Sequence, residues 1–168
     1  MGKPKGLLDV DGVPLILLQI AAFLNGGLQT RVVLGAHASQ YRQVLPANIP
    51  IVENHAWATT DMAASVRLGM IGLDAVILTP VDAPPANADT LRTLLALSGD
   101  GVPTFNGAPG HPVRLSAPLR SGERLDTRLA TAPRVAVADP GCLGNLNTPS
   151  DWEAWRASVR ALRSDIRG

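Results

Sequence analysis

The alternation of short β-branched runs with amphipathic stretches, punctuated at fairly even intervals by 16 glycines and 14 prolines, constrains this chain more than any other feature. Residues 13–25 predict a buried helix, with Pro14 near its first turn and Gly26 and Gly27 closing it. Residues 31–35 predict a strand, 39–45 a short helix and 50–53 a second strand. Residues 61–72 predict a helix with Met62, Val66, Met70 and Leu73 on one stripe. Residues 74–79 form the clearest strand pattern, and 88–97 follow as a helix with Leu91, Leu94 and Leu95 on its stripe. Strands at 102–105, 112–115 and 134–138 are next. A last helix starts near Pro149, where Thr148 suits the N-cap and Asp151 takes the place of the capping-box acid. Strands that alternate with helices predict an α/β fold: a three-layer, mostly parallel sheet with helices on both faces.

Composition narrows the function classes. At 168 residues, with 46% apolar and 17% charged side chains, the chain holds one well-filled core, which predicts a single domain over residues 1–168. The formal net charge is +1 and the basic residues are scattered, so neither a nucleic acid nor an anionic membrane is an expected partner. The longest apolar stretch, residues 13–24, is interrupted by Pro14 and Gln19 and is too short to span a bilayer. Cys142 is the only cysteine, which excludes an intramolecular disulfide and a multi-cysteine zinc site and predicts a cytoplasmic protein. Serine-hydrolase, P-loop and dinucleotide glycine motifs are absent.

In open α/β sheets, ligands gather at the carboxyl ends of the strands. Polar residues concentrate on that predicted rim: His37, Asn54, Trp57, Asp82, Asn106, His111, Asn145 and Asn147. The segment Thr79-Pro80-Val81-Asp82-Ala83-Pro84-Pro85 presents one carboxylate in a proline-stiffened loop, which suits either a turn hydrogen bond or a hard cation such as Mg²⁺. Asn145 and Asn147 can cap the last helix or supply an amide oxygen to a metal. Lys5 is either a solvated terminal residue or a point charge for phosphate. His111, alone in its loop, is an ordinary hydrogen-bonding residue or a ligand-side group.

Taken in order, these segments resemble the MobA-like nucleotidyltransferases, the family that includes the molybdenum cofactor guanylyl- and cytidylyltransferases. Met1-Gly2-Lys3-Pro4-Lys5-Gly6-Leu7-Leu8 is similar to the end of the family's opening signature, where a glycine-rich loop closes in Arg-Met-Gly-x-Pro-Lys-x-Leu-Leu. Gly12-Val13-Pro14-Leu15 resembles its next helix entry. The stretch with Asn54, Trp57, Met62, Ser65 and Gly69 is similar to N-x-x-W-x-x-G-M-x-x-S-l-x-x-G, with Asp61 where the family usually has glycine. Pro80-Val81-Asp82-Ala83-Pro84 resembles the metal-binding Asp loop, Gly110-His111-Pro112-Val113 the acceptor-side segment, and Asn145-Leu146-Asn147-Thr148-Pro149 the closing N-x-N-T-P element.

The resemblance implies a Rossmann-like sheet of the nucleotide-diphospho-sugar transferase type that lacks its first strand, the chain being N-terminally truncated relative to the family. It implies transfer of an NMP from an NTP, CTP or GTP, to a phosphorylated acceptor, a molybdopterin-like one first, with release of pyrophosphate. Asp82, with Asn145 or Asn147, would hold Mg²⁺. Lys5 and Asp82 would be catalytic; Gly2, Lys5, Ser65 and Gly69 would contact the nucleotide, and His111 the acceptor. The competing readings are a sugar-phosphate nucleotidyltransferase, a nucleotide- or pterin-binding module without turnover, and a structural domain with a vestigial site. On the implied topology, the chain as written is expected to be inactive and poorly stable unless another segment or a partner fills the vacant central position.

Overall fold

The computed structural model of the chain describes the backbone over residues 4–165 and side chains over residues 4–159. After a 3-10 turn at Lys5–Leu7, a small hairpin pairs β1 (Asp9–Val10) with β2 (Val13–Pro14), and Asp11 and Gly12 make its turn with φ of 53° and 90°. Then come α1 (Leu15–Asn25), β3 (Val32–Leu34), α2 (Ala38–Arg42), β4 (Ile51–Glu53), α3 (Met62–Gly69), β5 (Val76–Leu78) and α4 (Ala88–Leu95). The second half holds β6 (Val102–Phe105), β7 (Ala108–Pro109), β8 (Val113–Leu115), α5 (Leu125–Ala130), β9 (Arg134–Ala136) and α6 (Pro149–Asp165). The α/β alternation read from the sequence is therefore the alternation of the fold.

Pairing in the sheet is mixed. β3 runs parallel to β4 and β6 parallel to β9, whereas β8 is antiparallel to β5 and β7 to β6. Asn106 and Gly107, at φ 51° and 81°, turn β6 into β7. A bridge between Gly101 and Arg114 connects the β5–β8 pair to the β6 strands.

Two faces of helices cover these strands. Ile16 and Ile20 of α1 share a cluster with Leu34 of β3 and Tyr41 of α2, and Phe23 of α1 shares one with Leu91 of α4 and Ile77 of β5. On the other face, Ala63 and Val66 of α3 and Met70, which caps its end, pack with Val76 and Leu78 of β5 and Leu115 of β8, beside Leu125 and Leu129 of α5. Val33 of β3 faces α3 as well, since a Cβ on Gly69 would come within 2.6 Å of its Cγ2. Both α1 and α3 thus reach from β3 to β5. Among the described residues, however, no hydrogen bond joins these two strands, and no other strand pairs with their open edges. The layer has a slot between β3 and β5, lined by Val32, Val33, Val76, Ile77 and Leu78, all of which are only partly buried.

Two stripes read from the sequence depart from it at one residue each. Along α3, Val66 packs in the core cluster and Met70, just past the helix, is buried, as read, but Met62 is 65% exposed because it opens the first turn beyond the Asp61 cap, and Ala63 is buried beside it. In α4, Leu91 and Leu94 are fully buried while Leu95 lies 40% exposed on the flank.

The far half of the sheet is pinned by an ion pair. Asp100 accepts from Arg128 Nε at 2.6 Å and Nη2 at 2.9 Å, and from the Ser116 backbone N–H and hydroxyl, each at 2.8 Å. Arg128, more than the Ser116 donors, holds the Asp100 carboxyl well below the usual carboxylate range. Breaking such a largely buried pair costs about 3 kcal/mol. Arg128→Met is therefore expected to lower the melting temperature by about 6–12 °C near neutral pH. Because the folded pKa is depressed, this stability is complete above the unfolded value of about 4 and is lost as pH falls through the folded one. The gap in melting temperature between parent and variant should accordingly persist from pH 7 to about 4 and narrow only below that.

Candidate functional site

The loop after β5 is fixed along its main chain. Pro80, Pro84 and Pro85 restrict φ, the Ala83 N–H donates to the Pro80 carbonyl at 3.2 Å, and the Asp82 carbonyl accepts from the Leu146 N–H at 2.7 Å. Gln19, a buried amide on the otherwise apolar inner face of α1, donates from Nε2 to the Ala83 carbonyl. The carboxylate of Asp82 stays 25% exposed on this rigid support.

Lys5 and Asn147 converge on that carboxylate from opposite ends of the chain. Lys5 Nζ donates to Asp82 Oδ2 at 2.8 Å and also to Asn147 Oδ1. The Leu146 N–H to Asp82 carbonyl bond carries Asn147 to the same place, so side-chain and main-chain contacts agree. Capping of α6 falls to Thr148, whose Oγ1 accepts from the Asp151 N–H at 3.1 Å while its own N–H donates to Asp151 Oδ2 at 2.8 Å. Asn147 is thereby released from the capping role open to it in the sequence.

Beside this cluster lies a cleft of about 410 Å³, lined by Pro80, His111, Val113, Cys142, Leu143 and Asn145 among others. His111 Nδ1 is buried with no protein hydrogen-bond partner. Burial pushes the His111 pKa down, and the Asp82 charge opposes this only partly, so the imidazole is neutral at physiological pH. Burial likewise pushes the Cys142 thiol up, with a smaller push from Asp139, which makes it an unreactive wall residue.

Ser65 and Gly69 lie elsewhere. Ser65 Oγ accepts from Asn54 Nδ2 at 3.0 Å; Asn54, only 3% exposed, also donates to Thr60 Oγ1 at 3.0 Å and accepts from the Ala56 N–H at 3.0 Å. This network holds the loop that carries Trp57, which is 50% exposed beyond the end of β4. Gly69 ends α3 beneath Val33, and its carbonyl accepts from Arg31 at 2.9 Å, a position given over to close packing. Asp61, at the family's glycine position, caps α3 by accepting from the Ala64 N–H at 2.9 Å. Gly2 lies outside the described residues. The structure thus joins Lys5, Asp82 and Asn147 directly, places His111 and Asn145 on the adjoining cleft, and puts Ser65 and Gly69 along α3.

Sequence reasoning passed over Gln19 and Leu146 as site residues. The signal for Gln19 was a lone amide in an apolar helix; for Leu146, which contributes a backbone N–H, the sequence held none.

Among the described residues, no group of three or more His, Cys, Asp or Glu side chains could hold a metal by itself, and no helix is long and apolar enough to cross a membrane. A hard cation at this rim would therefore depend on Asp82, an amide oxygen and substrate oxygens.

Similar solved structures carry the same architecture. A nucleotidyl transferase from Methanothermobacter thermautotroptrophicus is 22% identical, with 94% of this chain covering 86% of that one at a TM-score of 0.78. The Rv0371c protein of Mycobacterium tuberculosis, solved as a complex with manganese, is 20% identical over 92% of each chain at 0.71. The 2-C-methyl-D-erythritol 4-phosphate cytidylyltransferase of Thermus thermophilus is 22% identical over 95% of each chain at 0.67. No curated protein matches the chain in sequence. The model of the MobA-like NTP transferase domain matches residues 1–136, a span that holds the Lys5 turn, the Asp82 loop and the His111 segment, and the chain belongs to that nucleotidyltransferase family.

Proposed function

We propose that this chain moves a nucleoside monophosphate from GTP or CTP to a phosphorylated acceptor of molybdopterin type, releasing pyrophosphate. The observation that carries the reading is the convergence of Lys5 and Asn147 on Asp82 at the rim. Asp82 and Asn147 offer two oxygens already turned onto a cation, the Lys5 ammonium, and such a donor set fits Mg²⁺ or Mn²⁺. A divalent ion bound there would neutralise charge at the α-phosphate.

The chain's own residues do the rest. An acceptor phosphate has a second pKa of about 6, so its oxygen is ionised at neutral pH and needs no general base. That oxygen attacks the α-phosphorus, a new P–O bond forms, the bond to the β-phosphate bridging oxygen breaks, and pyrophosphate leaves with the electron pair. Lys5 offsets the charge that develops on the leaving group. Ser65 and Gly69 belong to the nucleotide side of this proposal, together with Gly2. His111 and Asn145 line the same cleft wall, and His111 stands on the acceptor side of this proposal. Catalysis here is positioning and charge neutralisation.

The test is pyrophosphate release by the purified chain with Mg²⁺, each of the common NTPs, and either molybdopterin or a polyol phosphate. Release dependent on molybdopterin with GTP or CTP is the expected result. Release with the polyol phosphate alone would move the acceptor to the sugar-phosphate class, in line with the Thermus thermophilus relative. Thermal stabilisation by nucleotide without release would make the chain a binding module instead, and the absence of both stabilisation and release would overturn the proposal.

A further inference from the structure

We propose that the Lys5 ammonium is a built-in counter-ion that closes the Asp82–Asn147 cation site until phosphate oxygens draw it away, so that the divalent metal enters together with the nucleotide rather than before it. The inference rests on the function proposed above and adds an order of events to it.

The geometry allows one cation at a time. Lys5 Nζ sits 2.8 Å from Asp82 Oδ2 and also takes Asn147 Oδ1, the two oxygens that fit a hard cation. A divalent ion binds carboxylate oxygen at roughly 2.1 Å, so an ammonium left in place would stand no more than about 5 Å from it even on the opposite side of that oxygen. Like charges at that separation repel strongly in a partly desolvated site. The ion would also lose Asn147 to the ammonium. Among the described residues no group of three or more His, Cys, Asp or Glu side chains gathers there, so no cluster of acidic ligands offsets the repulsion.

Lys5 is built to leave. Its backbone is held, because the Gly6 N–H donates to Tyr41 Oη at 3.2 Å and a Cβ at Gly6 would come within 2.6 Å of Val81 Cγ2, so the turn is wedged in place. Its head group is held only by the Asp82 and Asn147 oxygens, on a flexible four-carbon stem whose side chain remains 35% exposed. A pair this exposed adds little to stability and can be exchanged at small cost. Triphosphate or pyrophosphate oxygens offer the ammonium an alternative partner, and its departure frees both metal ligands. Metal and phosphate should then bind with positive coupling, each strengthening the other by the same factor.

Mn²⁺ binding to the full chain without nucleotide, followed by the electron paramagnetic resonance signal of the free ion, tests this directly. Lys5→Met should bind Mn²⁺ on the order of ten-fold more tightly than the parent, Lys5→Arg should match the parent, and Asp82→Asn placed on Lys5→Met should abolish the gain. Adding pyrophosphate should tighten Mn²⁺ binding to the parent, and by a larger factor than in Lys5→Met. Equal or weaker Mn²⁺ binding by Lys5→Met would overturn the gate, as would Lys5→Arg binding like Lys5→Met, which would assign the effect to packing rather than charge. Pyrophosphate release by the parent decides the transferase reading separately, so a failed gate and a failed function are told apart.

Discussion

Replacing Asp82 with alanine is expected to reduce metal-dependent pyrophosphate release by about 10³-fold while leaving the melting temperature within a few degrees of the parent. The size follows from what one fixed electrostatic group contributes to a charged transition state, on the order of 10²–10³-fold for a single donor and more where it also holds a metal. The small effect on stability follows from where the loop is anchored. Its main-chain ties are the Asp82 carbonyl to the Leu146 N–H and the Ala83 carbonyl to Gln19, and alanine keeps both. What alanine removes is a half-exposed pair with Lys5, worth at most about 1 kcal/mol. Steady-state pyrophosphate release with Mg²⁺ and with Mn²⁺, beside a thermal melt of the same preparations, checks both halves. A variant that responds to metal as the parent does would remove Asp82 from the site.

How much of this was legible in the sequence differs between fold and site. The element order was legible because its signals are local: Gly26 and Gly27 end α1, and Thr148 with Asp151 opens α6 through a capping box that the structure contains. α5 was missed because six residues are too few to display a stripe, and it shows no fully buried side chain. The β1–β2 and β6–β7 hairpins were missed although Asp11-Gly12 and Asn106-Gly107 are the dipeptides such turns favour. The stripes of α3 and α4 were legible in Val66, Met70, Leu91 and Leu94 and failed at Met62 and Leu95, which are apolar without being buried. The antiparallel run of β8 depends on long-range pairing with β5, which no local pattern encodes.

For the site, the sequence supplied residue types and order but not contact. Lys5 and Asn147 are separated by 142 positions, and only the closed fold brings both to Asp82. The hydrogen bond between Leu146 and the Asp82 carbonyl, which sets that meeting, involves no side chain. Ser65 was legible as a candidate but not in its contact, since its partner Asn54 lies across a loop eleven positions away.

The slot between β3 and β5 carries the other large expected effect. Val32 and Leu34 point toward the α1 face and Val33 toward α3, while Ile77 points toward α1 and Val76 and Leu78 toward α3. The two edges therefore present matching alternation, and a strand laid between them with the same period would meet apolar side chains on both faces and unpaired backbone groups on both sides. Its carboxyl end would emerge beside Val81 and Tyr41, where the Lys5 turn already lies. We therefore expect that fusing an apolar strand of about five residues and a glycine-rich turn ahead of Pro4 stabilises the domain. Completing the burial of the slot residues is worth roughly 1–2 kcal/mol each, and ordering the added backbone costs about 1–2 kcal/mol per residue. Hydrogen bonds on both edges, at about 1 kcal/mol apiece, tip the balance toward the extended form, and each net kcal/mol raises the melting temperature by about 2–4 °C at this chain length. The turn leaving the strand would aim backbone N–H groups at the phosphates beside Lys5, so pyrophosphate release should rise at least about ten-fold as well. The two forms are compared by calorimetry and by the same release assay. An extended form that melts within about 2 °C of the parent and turns over no faster would mean that the slot closes on its own in solution and that β3 and β5 pair directly.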